Sequence, residues 1–144
     1  MSVQTLLRLV LIVAIVALPG ISGGKDDLKQ YFNTTAANVK ATENSAEKRA
    51  ILKRSLENMT NALETVQQYP LVSDNDKSGI KKLSASLAEK QDELEGRNGY
   101  KRVADANMDD FADYVVQDFE QAEVISISLL TLVLIIILVV LIVK

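Results

Sequence analysis

The chain has 144 residues, a net charge of −3, and 48% hydrophobic against 24% charged residues. That length suits a single domain. The absence of Cys, His and Trp excludes disulfides, thiolate nucleophiles, His-based catalysis and the common zinc and haem ligand sets.

The average composition conceals a segregation. All 19 acidic residues lie within 25–123, and of the 16 basic residues only Arg8 and Lys144 fall outside that range. Residues 1–22 read as a signal peptide. Arg8 forms the charged start, an uninterrupted apolar run extends from Leu9 to Leu18, and Pro19-Gly20 breaks it. A cut after Ser22 places Gly20 and Ser22 at the small-residue positions a signal peptidase requires, so the mature chain is expected to begin at Gly23. Ten residues of helix fall short of the roughly 30 Å hydrocarbon core. Taking in Leu6, Leu7 and the residues up to Ile21 gives the alternative, an uncleaved N-terminal anchor.

Residues 23–123 are predicted to form an extracytoplasmic helical bundle with coiled-coil character, antiparallel, with three or four helices. Leu28, Phe32, Thr35 and Val39 mark a first weak seam over 26–42. The stretch 42–45 has low helix propensity, with Ser45 placed to cap a new helix. Leu52, Leu56, Met59, Leu63 and Val66 then recur in steps of 4, 3, 4 and 3, a coiled-coil seam. Pro70 ends this helix near Tyr69. Ser73, with Asp76 three residues on, starts the next, whose buried face is Ile80, Leu83, Leu87 and Leu94. Gly96-Arg97-Asn98-Gly99 is a turn. The last bundle helix is expected from Tyr100, with Met108, Phe111, Val115, Phe119 and Ala122 as its stripe. The helices predicted over 45–69, 74–95 and 100–123 are matched in length, which favours a bundle with short turns. Many seam neighbours are Ala, Ser or Thr and aromatic content is 5%, so a bundle of these residues alone is marginal.

Residues 124–143 contain no charge, Gly or Pro, and only Ser126, Ser128 and Thr131 are polar. Twenty residues of helix measure about 30 Å, the bilayer core thickness. They are predicted to be a transmembrane helix continuous with the one before it, a single helix over 100–143. A buried core helix is the weaker reading, since the rest of the chain offers little apolar surface to surround it. A glycolipid-anchor signal also ends in such a stretch, but the acidic spacer before this one does not suit it. The positive-inside rule places Lys144 in the cytoplasm and 25–123 on the far side of the cell membrane, a single-pass arrangement.

Four patterns invite a functional reading. Asp74-x-Asp76-x-Ser78-Gly79 resembles half a calcium loop, but Ala85 stands where a bidentate Glu is needed; helix-capping carboxylates at a turn are the better reading. Asp105-x-Asn107-x-Asp109 lacks its Gly and its Glu, so a solvated helix face is expected. Residues 103–123 carry seven acidic and no basic residues. Either this stalk attracts a basic partner or cations, or it pairs with Lys48, Arg49, Lys53, Arg54, Lys81 and Lys82 of the neighbouring helices. Asn33-Thr34-Thr35 and Asn58-Met59-Thr60 are glycosylation sequons.

No catalytic, cofactor-binding or metal site is assigned, no cofactor is expected, and the chain is not expected to be an enzyme. The expected partners are the membrane and either a second copy or another membrane protein, with no nucleic acid and no small-molecule substrate. Function is expected to be that of a membrane-anchored interaction or structural module acting through its helix faces. The alternative is a sensor-like accessory subunit that signals through a partner's transmembrane helices. Its layout resembles, in architecture only, the four-helix sensor domains of bacterial chemoreceptors.

Overall fold

The computed structural model describes residues 24–121 and 127–143, and the described residues are helical with short connections. The signal or anchor expected over 1–22, the junction of Glu123 with Val124, and Lys144 lie outside them.

Helix α1 spans Gly24–Ala41, with Asp26 and Asp27 in its first turn and Lys40 in its last, the charge order that complements the helix dipole. Thr42 closes it, donating from its hydroxyl to the Asn38 carbonyl at 2.7 Å. Helix α2 spans Ser45–Gln67. Its cap is Asn44 and not the expected Ser45: the Asn44 side-chain oxygen accepts from the Glu47 backbone N–H at 3.1 Å. Helix α3 spans Asp74–Glu95, with the predicted bounds, and the Ser73 hydroxyl caps it by accepting from the Asp76 N–H. Gly96 ends α3 at φ 74°, and a Cβ there would sit 2.7 Å from that of Arg102. Only glycine serves at that position.

The predicted helix over 100–123 starts eight residues late. Residues 100–104 are irregular, a 3₁₀ turn covers Asp105–Asn107, and helix α4 spans Met108–Gln121. Tertiary bonding overrides local propensity here. Arg49, 8% exposed, donates to the carbonyls of Leu94 and Val103 and to the Asp105 carboxylate. Those bonds hold the connection across the end of the bundle, where it cannot be helical.

The single helix expected over 100–143 is also overturned. Ile127 lies in a bend, Ser128 is non-helical, and a separate helix α5 spans Leu129–Val143. It is 15 residues long, about 22 Å. No helix among the described residues is long and apolar enough to cross a membrane. Instead α5 folds back against α1 and α2.

Residues 24–121 hold four described helices, the larger of the two expected numbers, and α5 is a fifth that packs on them. Helices α1 and α2 form the centre, α3 packs on α2, α4 packs on α1, and α5 lies over both central helices. Lys40–Asp113 and Lys48–Asp109 place the end of α1, the start of α2 and the start of α4 together at one end. The α2 seam Leu52, Leu56, Met59, Leu63 and Val66 is wholly buried. Phe32 meets Phe119 at 4.5 Å between ring centroids. Ile127, Leu132, Ile135, Ile136 and Val139 join the same core. The apolar C-terminal segment thus supplies burial that α1 to α4 lack. The rest of the chain was expected to offer too little apolar surface to surround this segment; it covers the side with Leu132, Ile135, Ile136 and Val139 and leaves Ile137, Leu141 and Ile142 exposed.

Candidate functional site

The feature that sets this bundle apart is how its apolar helix is held. Asp76 is the third residue of α3 and 4% exposed. One of its carboxylate oxygens accepts from the Ser128 backbone N–H at 2.9 Å. The other accepts from the hydroxyls of Ser128 and Thr131, both at 2.6 Å. Ser128 itself starts α5: its carbonyl accepts from the Leu132 N–H at 3.0 Å and its hydroxyl oxygen faces the Thr131 N–H at 3.4 Å. One carboxylate therefore sits at the N-terminal ends of two helices, where both dipoles favour negative charge. Burial pushes the Asp76 carboxyl up, but the bonds from Ser128 and Thr131 outweigh it and leave it below the ordinary 3.8. It stays charged at neutral pH.

Beyond this anchor α5 contains only Leu, Ile and Val besides Thr131. Leu132, Ile135, Ile136 and Val139 face the bundle, whereas Ile137 is 44%, Leu141 61% and Ile142 38% exposed. The helix is apolar on all sides and covered on one.

Both calcium-loop look-alikes are helical or ion-paired. Asp74 opens α3, and Asp76 spends both oxygens on α5. Asp105 pairs with Arg49 at 3.0 Å and Asp109 with Lys48 at 2.6 Å. Among the described residues no group of three or more carboxylates could hold a metal ion. Four acidic residues of 103–123, Asp105, Asp109, Asp113 and Asp118, pair across helices, as the second of the two readings expected, though with a partly different set of cations. Lys48 and Arg49 do pair with these residues, whereas Lys53, Arg54 and Lys81 are exposed. Lys40 and Lys90, which the sequence did not single out, reach Asp113 at 2.7 Å and Asp118 at 3.1 Å. The Asp113 carboxylate raises the Lys40 ammonium. Lys90 is buried, which lowers it, but its bonds to Tyr114 and Asp118 raise it further, and its ammonium also lies 4.5 Å from the Tyr114 ring centroid. These pairs dock α4 onto α1, α2 and α3.

Of the sequon residues, Asn33 is exposed on α1 beside an open groove that also takes in Lys29 and Asn38, and Asn58 is half-buried on α2.

The Asp76 anchor is not visible from either element alone: the sequence puts Asp76 at a helix-capping turn and Ser128 and Thr131 in an apolar stretch more than fifty positions away. The available signal was the crowding of Ser126, Ser128 and Thr131 at one end of an otherwise purely aliphatic stretch.

The chain matches no protein-family model, no curated protein and no solved structure.

Proposed function

We propose that this protein is a membrane-anchored helical interaction module, non-enzymatic, whose C-terminal apolar segment is its lipid-contacting part. The observation that carries this reading is α5: apolar all round, yet covered on one side, with Ile137, Leu141 and Ile142 facing outward. A helix of that kind is at home between surfaces that are apolar on both sides. The uncharged stretch 124–143 reaches about 30 Å once helical throughout, the bilayer core thickness. In this reading Lys144 stays on the cytoplasmic side and the helices α1 to α4 lie on the other, where their faces are free to meet a second copy or another membrane protein.

Flotation with neutral phosphatidylcholine vesicles tests the reading. The full chain should rise with the vesicles and stay bound at high salt. The double variant Ile137→Asp/Leu141→Asp should remain below, because these positions are exposed on the bundle but would meet hydrocarbon in a span. Each Asp there costs about 2.5–3.5 kcal/mol at the centre of a span. A full chain that stays in the lower fraction overturns the reading.

A further inference from the structure

We infer that the Asp76–Ser128–Thr131 cluster is a latch that holds the C-terminal helix stowed on α1 and α2, and that breaking it hands this helix to a lipid bilayer. This rests on the membrane-anchored reading, which it deepens by naming the residues that decide between the two resting places of one segment.

The argument starts from what each place offers α5. Against the bundle, Leu132, Ile135, Ile136 and Val139 are covered while Ile137, Leu141 and Ile142 remain in water. In hydrocarbon both sides of α5 are covered, but its departure uncovers the faces of α1 and α2 that it now meets, so apolar burial is divided between the two places. Polar contacts made in only one of them then tip the choice. The only polar side chains in 127–143 are Ser128 and Thr131, and both hydroxyls donate to one buried carboxylate. Charge-assisted bonds of this length are among the strong ones.

The cluster is also placed to act as a switch. It lies at the first turn of α5, beside the bend at Ile127. Losing it frees the start of the helix first, and Ile127 and Ser128 can then join the helix and lengthen it toward what a bilayer requires. Asp76 cannot follow, since α3 holds it through the Ser73 cap. Nor does it gain from the exchange: once α5 has left, the carboxylate must find water in place of three donors. The bonds therefore favour the stowed state by their net worth over hydration, which is larger for a charged acceptor than for a neutral one. Such a partition keeps an aliphatic helix sheltered until a membrane is present.

Two measurements on the full chain test this, one with lipid and one without. The variants are Asp76→Asn, which keeps the shape of the side chain, and Thr131→Val, which leaves α3 untouched. In the absence of lipid, the backbone amides of 132–143 should exchange with deuterium at least about tenfold faster in Asp76→Asn, with a smaller rise in Thr131→Val, while those of 52–66 keep their protection. With neutral phosphatidylcholine vesicles, both variants should insert faster than the unaltered chain, in the same order. Unchanged exchange over 132–143 overturns the latch, whatever the vesicles show. Faster exchange with no vesicle binding by any chain sinks the lipid-contacting role, and with it the transfer to a bilayer. Equal insertion rates for all three chains, despite faster exchange, overturn the claim that the cluster governs the choice.

Discussion

Asp76 shows how one buried residue serves two helices. Its carboxyl is held below the ordinary 3.8 because the donors of Ser128 and Thr131 favour the charged form more than burial disfavours it. A carboxyl lowered in the folded state contributes stability that is present above its unfolded pKa and lost as pH falls through the folded one. The unaltered chain should therefore exceed Asp76→Asn in thermal stability at neutral pH, and the gap should close below about pH 4. Melting both proteins across that range checks it; a constant gap would mean the charge is not what matters. Leu56 is the apolar counterpart. It is buried in the α2 seam, and Leu56→Asp should cost roughly 3 kcal/mol or more by placing a carboxylate among aliphatic neighbours. Circular dichroism should show loss of cooperative melting, and an unchanged melt would place that position outside the core. Tyr31 is the buried polar group that needs no partner of opposite charge: burial pushes it up to about 12, and its hydroxyl donates to the Ser55 carbonyl at 2.8 Å.

Among the elements, the connection between α3 and α4 is decided by bonds from outside itself. Arg49 on α2 gathers the carbonyls of Leu94 and Val103 with the Asp105 carboxylate. Arg49→Ala should cost about 2–3 kcal/mol, mostly from the carbonyls left without a donor, since the Asp105 carboxylate is largely exposed and its share is screened. Limited proteolysis should then cut within 97–107 much faster than in the unaltered protein. Equal cutting rates would show that the connection holds its own shape. A similar argument covers Gly96: Gly96→Ala puts a side chain at φ 74° against the Arg102 backbone, a strain of order 1–3 kcal/mol that a melt would register.

At the scale of the whole molecule, α5 completes the core. Removing it uncovers the sides of α1 and α2 that now meet Leu132, Ile135, Ile136 and Val139. Each such side chain is worth about 1.5–3 kcal/mol when buried, and together they rival the whole stability of a typical domain, about 5–15 kcal/mol. A chain ending at Gln121 should remain helical but melt without cooperativity or self-associate to cover the exposed sides. Circular dichroism with analytical ultracentrifugation tells these outcomes apart from a monomer with an unchanged melt, which would show that the four helices suffice.

The helical class, the α2 seam and the bounds of α3 were legible in the sequence, because apolar spacing, Ser73 and Gly96 are local signals whose effect is felt within a turn or two of helix. The cap at Asn44 lay one residue from where propensity put it. The start of α4 and the course of 127–143 were not legible. For α4, the deciding donor, Arg49, is more than fifty positions away along the chain. For 124–143, composition says that the segment must escape water, and a bilayer and a bundle satisfy that demand equally in kind. Which of them receives it depends on whether α1 and α2 present a matching apolar surface and whether a carboxylate waits at its first turn. Both are properties of the folded arrangement, created only when helices distant in sequence are brought side by side.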